Sequence, residues 1–218
     1  MRPRTSLVLS GLLPDSVHAY EADLGPGDQE GSSARQREFA AGRACARAGL
    51  QQLGIDGRES TVGRRRDRSP SWPVGAVGSI AHCPHLAVAV VGGDREFASL
   101  GVDVEDEAAV HAELAPVVLT PPERTGEEAE RSDLLAAVFS MKEAAYKCWY
   151  PLTQIELDFA DIRVRVEPVS GDFRAEMVTA ARRRPLHLPV HGAVRHHGGH
   201  VYAAAWIARS GPSQRATG

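Results

Sequence analysis

Residues 132–149 form the segment that most restricts the fold of this chain. Leu134, Val138, Met141 and Ala145 recur at helical spacing and lay an apolar stripe along one side. The spacing predicts an amphipathic helix from about Ser132 to Trp149, ended by Pro151. The helix carries Lys142, Glu143 and Lys147, a carboxylate between two ammonium groups. About forty residues earlier, Gly101-Val102-Asp103-Val104-Glu105 reads as a strand. Side chains alternate across a strand, so Asp103 and Glu105 share one face, and Glu107 shares it with them. Two acids side by side repel unless they are solvated or bridged by a cation, and Mg²⁺ suits such an oxygen-donor pair. The plain alternative is a solvated strand end, because Asp106 and Glu107 follow at once. Glu143 and Lys147 likewise have the i,i+4 spacing of an ordinary helix-stabilising pair.

Other segments divide the 218 residues further. Met1 to Leu13 reads as an N-terminal β-strand, and 21–32 as a surface loop. Ser33 opens a helix with Gln36 as capping-box partner, and that helix stops near Gly54. Arg35, Arg43 and Arg47 fall on one side of it. Residues 56–73 form a polar loop holding Arg64, Arg65, Arg66 and Arg68. Strands follow at Val77–Cys83, Leu86–Val91 and Ser99–Glu105, then an acidic connector over 106–131. Beyond the helix the chain reads as β-rich: Ile155–Val166, Phe173–Val178, and a hairpin of Val190–His196 with His200–Ile207. The last ten residues read as disordered.

Composition narrows the function classes. A net charge of -3 gives no ground for bulk nucleic-acid or membrane affinity. No apolar run approaches the ~20 residues needed to span a bilayer. Cys45, Cys83 and Cys148 are odd in number and form no CxxC pair, which points to a reducing compartment and no zinc site. The histidines at 187, 191, 196, 197 and 200 lack ligand spacing and read as a solvated hairpin tip. Arginine, by contrast, offers forked grips on phosphate, and His82 at a strand end can donate to one.

These pieces also occur in one known family. The chain resembles the 4′-phosphopantetheinyl transferases of the surfactin- and enterobactin-synthetase type. The resemblance runs from about residue 35 to about 160. Its markers are Glu38-Phe39 through Cys45-Ala46-Arg47, Pro70-Ser71-Trp72-Pro73 and Gly78-Ser79-Ile80-Ala81-His82-Cys83. Gly101 to Glu105, Phe139 to Lys147 and Trp149-Tyr150-Pro151-Leu152-Thr153 complete the set. The resemblance implies an α+β fold of two pseudo-symmetric lobes, divided here as 1–105 and 106–208 with a tail over 209–218, and an active site in the cleft between them.

It further implies Mg²⁺, with Mn²⁺ as a substitute, held by Asp103, Glu105 and Glu143. Arg35, Arg43, Arg64, Ser79 and His82 would hold the nucleotide end of coenzyme A. Lys142 and Lys147 would neutralise its pyrophosphate. Glu143, directly or through a metal-bound water, would take the proton of a serine on an acyl or peptidyl carrier protein. The implied setting is a cytoplasmic monomer serving polyketide, fatty acid or nonribosomal peptide synthases.

Three positions depart from the family pattern. Ala81 stands where Ser or Thr is usual, which removes one hydroxyl expected to touch the ligand. The Arg-Arg-Arg-Asp-Arg run at 64–68 leaves open which side chain meets phosphate. Gln154 replaces the common Gly after Pro-Leu-Thr. Two rival functions remain: a coenzyme A or nucleotide-binding module that docks carriers without chemistry, and another Mg²⁺-dependent phosphotransferase. The second is disfavoured because the chain has no Gly-rich Walker loop.

Overall fold

The computed structural model describes residues 2–25, 31–125, 132–178 and 188–209. Its elements run β1 (Arg4–Thr5), α1 (Leu7–Ser10), β2 (His18–Asp23), α2 (Gly31–Gln52), β3 (Gly63–Arg64), β4 (Pro70–Ser71), β5 (Ala76–Cys83), β6 (Leu86–Gly93) and β7 (Phe97–Asp106). After short helical turns come α3 (Ala115–Val118), α4 (Ser132–Thr153), β8 (Ile162–Val166), β9 (Asp172–Met177), β10 (Val190–His197) and β11 (His200–Ala208). Among these, one sheet has the order β1-β2-β6-β5 and another the order β7-β11-β10-β9-β8, with β3 and β4 forming a small ribbon.

The sequence of β6 explains the layering. Leu86 to Val91 is an unbroken apolar run, and both faces of the strand are covered. Ala87, Ala89 and Val91 pack against Ala41, Cys45, Ala46 and Leu50 of α2. Val88 and Val90 point the other way, into a core shared with Leu100, Val102 and Val104 of β7 and Ala204 of β11. The second sheet turns Val201, Ala203, Ala205 and Ile207 towards Met141, Ala144, Ala145 and Cys148 of α4. The order through the molecule is therefore α2, first sheet, second sheet, α4.

Strand β7 hydrogen-bonds to β11, with Asp103 opposite Ala203 and Glu105 opposite Val201. It is thus an edge of the second sheet, whereas a division after residue 105 placed it in the first lobe. The chain passes from the first sheet to the second in the turn between Gly93 and Phe97. The expected tail over 209–218 lies outside the described residues beyond Arg209.

Several local expectations are corrected. Met1 to Leu13 is not one strand. Ser6 caps a single helical turn, its Oγ accepting from Leu9 N at 3.4 Å, and that turn buries Leu9. The loop expected from residue 21 begins later, because His18–Asp23 pairs with β6. That strand's apolar positions are mostly alanines, and its Glu21 is buried against Arg4 at 2.9 Å, so its alternation is weak in the sequence. Helix α2 begins at Gly31, two residues before Ser33. Residues 155–161 are not strand, since Asp158 and Asp161 cap a short helical turn over Phe159–Asp161.

Pro151 does not end α4. Thr153 Oγ1 donates to the Trp149 carbonyl at 3.1 Å and Gln154 N to the Tyr150 carbonyl at 2.9 Å, so the last turn stays bonded around the proline. Gln154 then closes the helix at φ 55°, the left-handed conformation that glycine adopts most cheaply. Gln154→Gly is accordingly expected to raise unfolding stability by about 0.5–1 kcal/mol, measured by urea denaturation. A loss of stability would mean that the Gln154 Nε2 bond to Tyr150 O at 3.1 Å outweighs the strain.

Candidate active site

Gly101 determines how closely helix and strand approach. A Cβ there would run into the Ala144 carbonyl and the Cys148 N–H of α4. With only a hydrogen at that position, α4 lies directly on β7. Asp103 and Glu105 follow at two-residue spacing on this same face. Lys147 Nζ donates to Asp103 Oδ1 at 2.7 Å, and Asp103 is 3% exposed. Asp103 Oδ2 is buried with no hydrogen-bond partner.

The neighbouring acids feel one another. Burial, with Asp103 and then Glu143 adding repulsion against the pull of Lys147, pushes the Glu105 carboxyl up to about 7. Burial also raises Glu143, which Lys147 partly offsets and Asp103 reinforces. Burial alone would lower Lys147, but Asp103, Glu143 and Glu105 together raise it. As they stand, no three His, Cys, Asp or Glu side chains among the described residues are grouped so as to hold a metal ion. Asp103, Glu105 and Glu143 therefore do not form the ready-made ligand trio expected of them. Their chemistry nonetheless fits a hard cation: all are oxygen donors, they crowd one another, and one buried oxygen is unpartnered.

Lys142 is a correction. It faces the opposite way from Lys147 and is fully buried. Its Nζ donates to Val118 O at 2.7 Å, Glu123 Oε2 at 2.7 Å and Phe159 O at 3.1 Å. An ammonium has three donors, so none is left for a pyrophosphate. Burial lowers Lys142, and the Glu123 contact partly restores it.

The arginines gather elsewhere. Arg35, Glu38, Phe39 and Arg43 of α2 line a cavity of about 640 Å³ together with Arg64, Arg68 and His82. Arg43 lies 4.7 Å over the Phe39 ring, and its Nη2 donates to Gly63 O at 3.1 Å. Its Nε is buried without a partner. Desolvation and then the Arg64 charge lower its guanidinium. His82 Nδ1 lies 3.5 Å from Glu38. Arg47 is exposed and lines no part of this cavity.

A second cavity of about 620 Å³ is lined by Trp72, Ser79, Tyr146, Lys147 and Tyr150 among others, and it shares Arg68, Pro70 and Ile80 with the first. The two thus adjoin, one rich in arginine and the other reaching Lys147. Ala81 is buried in the core between the sheets, so a hydroxyl at that position would not meet a ligand in the arginine cavity.

Arg68 is one of the arginines that the 64–68 run left open, and two further lining residues, Tyr146 and Tyr150, had no role assigned from the sequence. Arg68 sits at φ 72° in a turn that Asp67 organises, its Oδ1 accepting from Ser69 N at 3.0 Å and Ser69 Oγ at 2.7 Å. The Asp-Arg-Ser triplet was the available signal for that turn. Tyr146 and Tyr150 are one turn apart on α4, with rings 5.5 Å apart, and Tyr150 OH donates to Asp67 Oδ2 at 3.1 Å. The histidines of the β10–β11 hairpin make other contacts: His196 Nδ1 lies 2.8 Å from Glu107 Oε1, and His200 Nδ1 lies 3.1 Å from Gly198 O. His187 lies outside the described residues.

Comparison with known proteins agrees with this division. Residues 29–92 match the model of the 4′-phosphopantetheinyl transferase N-terminal domain, and 99–205 that of the 4′-phosphopantetheinyl transferase superfamily. 4′-Phosphopantetheinyl transferase Svp of Streptomyces mobaraensis is 40% identical over 149 residues, covering 66% of this chain and 60% of that protein. Npt of Nocardia iowensis is 36% identical over 141 residues, covering 63% and 62%. Enterobactin synthase component D of Salmonella typhimurium is 34% identical over 120 residues, covering 53% and 48%. The chain thus spans less than two thirds of the length of these relatives. With both family models matched in order, one on each side of the Gly93–Phe97 turn, the chain belongs to the 4′-phosphopantetheinyl transferase superfamily, in the type that includes enterobactin synthase component D.

Proposed function

We propose that this protein transfers the 4′-phosphopantetheine group of coenzyme A to a serine hydroxyl of acyl or peptidyl carrier proteins, releasing adenosine 3′,5′-bisphosphate. The observation that carries the proposal is the adjoining pair of cavities, one lined by Arg35, Arg43, Arg64 and His82, the other by Lys147 beside Asp103. Coenzyme A needs that succession, because its 3′-phosphate lies at one end of the nucleotide and its pyrophosphate at the other. The two sheet-and-helix units are read as the two similar lobes of the family, with the ligand between them. Cytoplasmic location, a monomeric state and service to polyketide, fatty acid or nonribosomal peptide synthases belong to the same proposal.

In the reaction, the serine oxygen forms a bond to the β-phosphorus while the bond from that phosphorus to the bridging oxygen breaks. Negative charge builds on the departing bisphosphate, where the Lys147 ammonium can stabilise it. The serine proton passes to Glu143, directly or through a water. Burial raises Glu143, which makes it a stronger base than a solvated carboxylate. Before a ligand binds, Asp103 Oδ1 accepts from Lys147 Nζ at 2.7 Å and holds the ammonium at the edge of the cavity that it lines. Asp103, Glu105 and Glu143 would hold Mg²⁺, which when bound neutralises pyrophosphate charge. A carrier-docking module without chemistry would have no use for a buried acid–lysine cluster at the end of its ligand cavity. The test of the activity is conversion of an apo-carrier protein by coenzyme A, read as intact mass.

The nucleotide grip has its own test. Charge-assisted hydrogen bonds to phosphate contribute about 1.5–3 kcal/mol. Arg43→Ala is therefore expected to weaken coenzyme A roughly 10- to 100-fold, with a much smaller loss for 3′-dephospho-coenzyme A. Calorimetry with both ligands measures the difference. Equal losses would place Arg43 on another part of the molecule.

A further inference from the structure

Lys147 has a position that the proposed reaction does not by itself require. It does not simply project towards the ligand cavity that it lines. Its Nζ lies 2.7 Å from Asp103 Oδ1. Asp103, Glu143 and Glu105 all act electrostatically on it. Lys142, the other ammonium of this helix segment, is committed to Glu123 and two carbonyls and takes no part. Asp103 is held on β7 and buried, so its carboxylate stays beside α4, where ammonium and metal would have to share it.

We infer that Lys147 is the resident counter-ion of the acid cluster and competes with a divalent cation for Asp103, so that metal binds well only when an anionic ligand draws the ammonium away. This rests on the reading of Asp103, Glu105 and Glu143 as metal-holding carboxylates. The physical ground is that ammonium and metal carry like charge and need the same carboxylate. A pyrophosphate in the adjoining cavity offers Lys147 an alternative anion, and releases Asp103. Metal and phosphate ligand then favour each other's binding, and the coupling is reciprocal. Lys147 would thereby keep the carboxylates from holding metal firmly until a phosphate ligand has arrived.

The experiment needs neither coenzyme A nor a carrier protein. Mn²⁺ binding to the chelator-treated full chain is followed by electron paramagnetic resonance of the free ion. Lys147→Met, of similar length and no charge, is expected to bind Mn²⁺ at least roughly tenfold more tightly than wild type. Lys147→Arg, which keeps the charge, is expected to stay within a few-fold of wild type. Inorganic pyrophosphate at a concentration that leaves Mn²⁺ mostly uncomplexed should tighten binding to wild type and have little effect on Lys147→Met. Melting curves establish that each variant is folded. Equal or weaker binding by Lys147→Met would overturn the competition, as would equal tightening in Lys147→Arg. Should Lys147→Met not fold, the pyrophosphate effect on wild type against Lys147→Arg decides, and its absence in wild type overturns the inference. A protein that shows this competition but does not modify a carrier would sink the proposed activity and leave the competition standing.

Discussion

Asp103→Asn is expected to lower the turnover of carrier-protein modification by about 100- to 1000-fold while the protein stays folded. The substitution keeps the shape of the side chain and removes its charge. Two functions of that charge go together. Lys147 loses the partner at 2.7 Å that holds it before the ligand binds, and the carboxylate group loses a buried member with one oxygen already unpartnered. Coenzyme A affinity should fall far less, because the arginine cavity is lined by other residues. Steady-state kinetics on a carrier protein, run beside coenzyme A titrations and melting curves, separates these effects. Turnover within about threefold of wild type would remove Asp103 from the reaction and reduce its contact with Lys147 to an ordinary structural ion pair.

The second large effect concerns stability. Glu123→Gln is expected to cost about 3–5 kcal/mol of folding free energy, because it leaves Lys142 charged, buried and unpaired. Glu123 is deeply engaged. Its Oε2 accepts from Lys142, Thr120 N and Thr120 Oγ1, each at 2.7 Å, and its Oε1 from Val164 N at 3.2 Å. The pair thereby ties α4 to the turn after α3 and to β8. Adding Lys142→Met to Glu123→Gln should recover much of the loss, since replacing a whole buried ion pair by apolar groups is often nearly neutral.

The pH dependence of this pair has a definite sign. Burial pulls the Glu123 carboxyl upward, but Lys142 and Thr120 outweigh it and hold the group below its usual range. Its contribution is complete above the unfolded value of about 4.3 and is lost as pH falls through the lower folded value. Wild type should therefore lose stability in acid below about pH 4 more steeply than Glu123→Gln does. Urea denaturation across pH 3–7 checks both statements. Parallel profiles for the two proteins would contradict the assignment.

The sequence pattern carried most of the fold wherever apolar spacing was strong. The α4 stripe, the β6 run and the β10–β11 hairpin lie where their periodicities put them. It failed where structure depends on a side chain meeting a distant backbone or a single cap. Ser6 capping Leu7–Ser10, and Thr153 and Gln154 carrying α4 past Pro151, are cases of that kind. The site divides in the same way. Residue spacing brought Asp103, Glu143 and Lys147 to the touching faces of a strand and a helix. Spacing alone could not tell Lys142 from Lys147, because both are ammonium groups on one helix. What separates them is Glu123, nineteen residues before Lys142 in the chain and 2.7 Å from it in space. The partner of β7 was also hidden, because strand pairing across a hundred residues leaves no local trace.

On the proposed function, the adjoining cavities serve transfer from coenzyme A rather than coenzyme A binding alone. The most direct test is the intact mass of an apo-acyl carrier protein incubated with this protein, coenzyme A and Mg²⁺. The carrier is expected to gain one phosphopantetheine group, located at a serine and accompanied by an equal amount of adenosine 3′,5′-bisphosphate. A carrier lacking that serine is expected to gain nothing. An unchanged carrier mass, in the presence of a protein shown by calorimetry to have bound coenzyme A and tried on both acyl and peptidyl carriers, would contradict the proposed function.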